Sequence, residues 1–105
     1  MNMLQENSIK LSIIIPVFNE EKFVKKLFFQ LKNYFNEKNI EIIFVDDGST
    51  DLSLDILKDL KQETQYKFIF EIVKIDINSG KGKAIQTGIK KSRGNYILLQ
   101  DADLE

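Results

Sequence analysis

Residues 11–35 read LSIIIPVFNEEKFVKKLFFQLKNYF, and a change of period inside that stretch decides the fold. Ile13, Ile14 and Ile15 stand in a β-branched row, so Leu11 to Val17 is expected to be a strand buried on both faces. Pro16 falls near its end, where it costs no central ladder bond. Beyond it the spacing changes. Phe23, Val24, Leu27, Phe28, Leu31, Tyr34 and Phe35 recur at steps of three and four, which predicts one apolar helix stripe facing the core. Glu20 and Glu21 are expected in the first turn of that helix, where acids complement its positive end, with Asn19 able to cap it.

The same switch repeats outward from this unit. Ile40 to Val45 is again apolar and β-branched, and Ser49, Thr50 and Asp51 offer caps for a helix whose Leu54, Leu57 and Leu60 share a face. Lys67 to Ile75 reads as a third strand. Lys83 to Ser92 reads as a short helix with Ala84, Ile85, Gly88 and Ile89 inward and Gly94 as its stop, and Tyr96 to Gln100 as a fourth strand. The order βαβαβαβ implies parallel strands joined by right-handed crossovers, in spatial order 3-2-1-4. Gly88 is expected to let its helix approach the sheet closely.

Each strand then runs into a polar cluster, and in parallel strands these clusters meet at the carboxyl edge, where open α/β sheets bind ligands. Asp101 and Asp103 project to the same side of an extended segment and, with Glu105, suit a hard divalent cation. Asp46-Asp47-Gly48-Ser49 puts two like charges at the end of a buried strand. Gly48 is explained by a turn with positive φ; one of the acids is explained by accepting an N–H from a nucleobase. Asn78-Ser79-Gly80-Lys81-Gly82-Lys83 precedes a helix, so its amides can cradle an anion that Lys81 or Lys83 neutralises. It is not a Walker A loop, because no Gly-Lys-Ser/Thr ending occurs.

Composition narrows the classes. With 105 residues the chain is one domain at most, and its 43% hydrophobic content is that of an ordinary globular protein. No cysteine and no histidine leave carboxylates, Lys, Arg and backbone amides to do any chemistry. A net charge of −1 argues against a nucleic-acid partner. No apolar run is long enough to span a membrane, and the polar start has no signal-peptide pattern. Residues 1–9 are expected to be a flexible tail, 10–105 a nucleotide-binding half-domain, and the chain cytoplasmic.

Taken together, the four clusters, in this order from Leu11 to Glu105, resemble the family 2 glycosyltransferases of inverting GT-A fold. Asn78 to Ala84, Arg93 to Tyr96 and Asp101 to Glu105 look like the polyprenyl-phosphate branch, typified by dolichyl-phosphate mannose and glucose synthases. The fold so implied is α/β, a Rossmann-like open parallel sheet. The resemblance implies a nucleotide-sugar pocket lined by Pro16, Val17, Asn19, Glu20, Asp47, Gly48, Lys81, Asp101 and Ala102. In it Asp47 accepts from the base, Lys81 lies near the diphosphate and Asp101 by the ribose. Asp101, Asp103 and Glu105 would bind Mg²⁺ or Mn²⁺. The activity implied is transfer of a hexose from a UDP- or GDP-sugar to a polyprenyl phosphate or a glycan. Because the chain stops after the metal motif, the acceptor site, any catalytic residue and any membrane association are expected in a missing region. The alternative is a nucleotide-sugar-binding fragment without turnover. A phosphoacceptor receiver domain is disfavoured, since no further strands with a hydroxyl residue and a lysine follow. The strand at 96–100, left as an apolar edge, is expected to support self-association.

Overall fold

Ile14 shows how the sheet is built. In the computed structural model, which describes residues 8–103, it pairs with Ile43 on one side and Leu99 on the other, with no exposed surface. Four strands run parallel in the order β3-β2-β1-β4: β1 (Leu11–Val17), β2 (Ile40–Asp47), β3 (Ile69–Ile75) and β4 (Tyr96–Leu99). Helices α1 (Val24–Phe35), α2 (Ser53–Glu63) and α3 (Lys81–Lys91) make the crossovers. The expected architecture and strand order are therefore present.

Alternation along β1 and β2 divides the core in two. Ile13, Ile15, Val17, Ile42 and Phe44 pack against Val24, Leu27, Phe28 and Leu31 of α1 and Leu57 and Leu60 of α2. Ile14, Ile43 and Val45 face Ala84 of α3. Each such side chain taken fully from water contributes roughly 1.5–3 kcal/mol before entropy is subtracted. On the larger face Phe28 stacks on Phe70 at 5.2 Å, and Phe70 lies 5.4 Å from Phe44. Gly88 sits where α3 crosses the sheet: a Cβ there would come within 2.6 Å of Ile14 Cγ2 and 3.1 Å of Val45 Cγ2. This is the close approach expected of that glycine.

Several local expectations need correction. The α1 stripe is narrower than its spacing suggests: Phe23 is 40% and Tyr34 81% exposed, because both fall beyond Leu27 on the margin of the stripe, at the two ends of the helix. Glu20 and Glu21 are not in the first turn of α1. The chain makes one further turn first, in which the N–H groups of Phe23 and Val24 both bond to the Glu20 carbonyl. Strand β3 starts two residues later than expected, because the Lys67 N–H is drawn to Asn36 Oδ1 at 2.7 Å. In α3, Ala84 and Gly88 are buried but Ile85 is only half-buried and Ile89 is 41% exposed. The two isoleucines lie one residue further round than the face that meets the sheet.

Gly94 is not a helix stop. Helix α3 ends at Lys91 with an extended Ser92, and Gly94 is needed because a Cβ there would come within 2.6 Å of both Ser12 N and Ser12 Oγ. A buried polar node holds this turn. Glu41, 1% exposed, accepts from Ser12 Oγ (2.7 Å), Arg93 N (2.6 Å) and the Arg93 guanidinium, while Gly94 N donates to Ser12 Oγ (2.8 Å). The node fixes the approach to β4, and so the place where Asp101 emerges. Ile9, at the end of the expected tail, is buried, and its carbonyl accepts from Asn95 N. No helix among the described residues is long and apolar enough to cross a membrane.

Candidate functional site

At the carboxyl ends of β1, β2 and β4 the loops enclose an open cleft of about 430 Å³. Pro16, Val17 and Phe18 form its apolar wall. Glu20, Asp47, Asn78, Gly80, Lys81, Asp101, Ala102 and Asp103 supply the remainder. Strands β1 and β4 are neighbours in the sheet, with the first two crossover helices packed on one face and α3 on the other, so the crevice lies at the switch point of the strand order.

Two turns are laced together beside this cleft. Asn19 adopts φ 54°, a left-handed conformation that asparagine tolerates, and its Oδ1 accepts from Thr50 N (2.8 Å) and Asp51 N (3.2 Å). In return, Asn19 N donates to Ser49 Oγ, Glu20 N to Ser53 Oγ and Glu21 N to Asp51 Oδ2. Burial is the largest single influence on the Asp51 carboxyl and opposes its ionisation. The hydrogen bonds from the Ser53 side chain and from the Ser53 and Glu21 N–H groups outweigh that and hold its carboxyl below its ordinary value of 3.8. This lacing explains Asn19, Ser49 and Thr50 structurally, as a clamp, whereas Asp51 also accepts from Ser53 N (2.9 Å), the first N–H of α2, as a helix cap does. Helix α2 begins at Ser53 without a side-chain cap on its own boundary residue, Leu52.

Asp46 and Asp47, adjacent and nearly fully buried, point to opposite faces. Asp46 Oδ2 accepts from Ser49 N at 3.3 Å, while its Oδ1 is buried with no hydrogen-bond partner. Asp47 grips the loop before α3: Oδ1 accepts from Ser79 N (2.9 Å), and Oδ2 accepts from Gly80 N (2.8 Å) and Asn78 Nδ2 (3.1 Å). Gly48, at φ 73°, makes room for this: a Cβ there would lie 2.5 Å from Asn78 N. Gly80, at φ 99° and ψ 157°, occupies a region that only glycine reaches readily and turns the chain into α3.

Lys81, the first residue of α3, reaches across the cleft to β4. Its Nζ lies 2.5 Å from Asp101 Oδ1, with the two side chains 62% and 45% exposed. The hydrogen bond to Asp101 and the charge of Asp101, with a smaller contribution from Asp103, raise the Lys81 ammonium above the ordinary lysine value.

Of the residues expected in a nucleotide-sugar pocket, Pro16, Val17, Glu20, Asp47, Lys81, Asp101 and Ala102 line the cleft, joined by Asp103 from the expected metal set. Asn19 and Gly48 do not line it; they shape the turns behind it. Glu105 lies outside the described residues. Phe18 lines the cleft without having been assigned a role; Asn78 and Gly80 line it as part of the loop expected to cradle an anion, but the N–H groups of Ser79 and Gly80 are taken by Asp47. Among the described residues no group of three acidic side chains converges as a preformed metal cage. Asp101 and Asp103 nonetheless offer hard oxygen donors on one cleft wall, and the Lys81 ammonium already stands there as a cation. That donor set fits Mg²⁺ or Mn²⁺.

Comparison with known proteins agrees with this geometry. The chain is 40% identical over 95 residues to the dolichyl N-acetyl-alpha-D-glucosaminyl phosphate 3-beta-D-2,3-diacetamido-2,3-dideoxy-beta-D-glucuronosyltransferase of Methanococcus voltae, a match covering 85% of this chain and 27% of that protein. It is 40% identical over 95 residues to the poly(ribitol-phosphate) beta-glucosyltransferase of Bacillus spizizenii, covering 90% of this chain and 15% of that one. TarS of S. aureus, solved with UDP, superimposes with a TM-score of 0.80 at 31% identity, over 90% of this chain and 28% of TarS. Mannosyltransferase PcManGT of Pyrobaculum calidifontis, solved with GDP-Man and Mn²⁺, gives a TM-score of 0.81 at 21% identity over 91% of this chain, a likeness of fold. The chain thus spans less than a third of the length of each of these proteins. The family model for glycosyl transferase family 2 matches residues 12–105, and the chain, with its GT-A-type sheet, belongs to that family.

Proposed function

We propose that this chain forms the donor-binding half of an inverting glycosyltransferase that moves a hexose from a UDP- or GDP-sugar to a polyprenyl phosphate or a glycan. The observation that carries the reading is the convergence of Asp47, Lys81, Asp101 and Asp103 on one cleft at the switch point. The apolar wall of Pro16, Val17 and Phe18 gives a base a surface to lie on. Asp47 has a double task. An ionised carboxylate offers about four lone-pair directions, and the loop 78–80 takes three of them. One is left to accept an N–H from a base, so Asp47 both anchors the loop and reads the nucleotide. Asp101 and Asp103 would hold Mg²⁺ or Mn²⁺, which supplies Lewis-acid neutralisation of the departing nucleotide diphosphate. Lys81 adds a positive charge at the same end. Acceptor activation is assigned to no residue here. The named acceptors of two relatives, a dolichyl-linked sugar and poly(ribitol phosphate), support the acceptor class.

Calorimetry with UDP and with GDP, in Mn²⁺ and in chelator, tests the reading. Binding is expected only with the cation present, and Asp103→Asn is expected to remove that dependence. Equal binding in chelator overturns it.

A further inference from the structure

We infer that Lys81 is a resident counter-cation for the acid pair, which a divalent metal must displace, so that one ammonium couples metal binding to diphosphate binding. The inference rests on the donor-site reading above. Lys81 stands at the first residue of α3, where the positive end of a helix disfavours a cation. It is not held there by packing, since its side chain is 62% exposed. What holds it is Asp101, at 2.5 Å, with Asp103 adding to the attraction. The ammonium therefore occupies a carboxylate oxygen that a metal would need.

Two cations cannot share that oxygen without repulsion, so an arriving metal must turn Lys81 out. Its backbone stays where it is: Gly80 N is bonded to Asp47 and the Gly80 carbonyl accepts from Ala84 N. Only the flexible stem swings. Without a nucleotide the displaced ammonium has lost its anion, and the metal has done work against it. With a nucleoside diphosphate on the metal, the ammonium finds a new anion within the same cleft. The device thus offsets one of the two acid charges when the site is empty and makes metal and diphosphate bind together.

The test is a Mn²⁺ titration followed by the electron paramagnetic resonance of the free ion, without nucleotide and then with UDP, and in a parallel series GDP. Wild type is compared with Lys81→Met and with Lys83→Met, which removes the same net charge two residues away. Without nucleotide, Lys81→Met is expected to bind Mn²⁺ about threefold more tightly than wild type, the size appropriate to a solvent-exposed ion pair, and Lys83→Met to match wild type. Added nucleotide should tighten Mn²⁺ binding less in Lys81→Met than in wild type. Mn²⁺ affinity that is unchanged or weaker in Lys81→Met, or equally tightened in Lys83→Met, overturns the inference and leaves the donor-site reading standing. Failure of every protein to bind Mn²⁺, even with nucleotide, overturns the donor-site reading itself.

Discussion

Glu41 shows how much one buried side chain does here. Its carboxylate, 1% exposed, takes the Ser12 hydroxyl, the Arg93 N–H and the Arg93 guanidinium. Removing it leaves buried donors without an acceptor, which costs more than the net worth of the bonds. Glu41→Ala is therefore expected to destabilise the fold by about 3 kcal/mol, a large share of the roughly 5–15 kcal/mol of a typical domain. Arg93→Ala should cost less, because the Ser12 hydroxyl and the Arg93 backbone N–H still bond the carboxylate, although that buried charge loses its cation. Urea midpoints of the two variants check this; equal losses would mean that the guanidinium, not the carboxylate, holds the node. Asp46 makes the contrast, since one of its oxygens is buried with no partner at all.

Helix α3 carries two glycines with opposite roles. At Gly82 a Cβ would meet nothing within 4 Å, and the residue has ordinary helical surroundings in the first turn. Gly82→Ala is expected to raise stability by about 0.5 kcal/mol, through the lower backbone entropy of the unfolded chain. At Gly88 the same methyl would press on Ile14 and Val45 in the sheet, and Gly88→Ala is expected to cost about 1–3 kcal/mol. Thermal or urea unfolding of the pair gives the two signs directly. A destabilised Gly82→Ala would show that the start of α3 depends on glycine for a reason other than space. The existence of α3 and the close approach of Gly88 to the sheet were legible in the sequence; how little space the sheet leaves at Gly88, and the open surroundings of Gly82, were not, because both depend on how near the sheet comes.

Among the described residues the sheet ends at β4, with no strand paired beyond it. Tyr96, Ile97, Leu98 and Leu99 are all exposed, at 67, 43, 39 and 51%. Tyr96 N bonds to Lys10 O and Gln100 N to Ile14 O, so alternation turns the N–H groups of Ile97 and Leu99 away from β1. An apolar strand with outward donors and no charge is a template for pairing. We propose that in the isolated chain a second copy pairs there, antiparallel across a two-fold axis. Sedimentation is expected to show a concentration-dependent dimer, abolished both by Leu98→Lys and by Ile97→Pro, which removes an outward N–H and spares the bonds to β1. A monomer at all concentrations rules the pairing out, and a dimer indifferent to both changes places the interface elsewhere.

Strand and helix identity, the parallel order 3-2-1-4 and the edge on which the site lies were determined by the sequence alone. A β-branched run and a three-four stripe are local patterns, and four strands alternating regularly with three helices leave few topologies. The acid pair at 101 and 103 was legible for the same reason, since it follows directly on a strand, whereas the choice of Asp47 over Asp46 and of Lys81 over Lys83 came from the family resemblance. Only the tertiary structure decided how those charges are spent. Asp47 is bound to a loop 31 to 33 residues away, Lys81 to an aspartate 20 residues on, and Glu41 to an arginine 52 residues on. It also decided that Asn19 clamps a turn, that Gly94 yields to Ser12 and that Phe23 and Tyr34 stay in water. Local periodicity records which face of an element is buried; the partner a polar atom finds depends on how separate elements meet, which no short stretch of sequence contains.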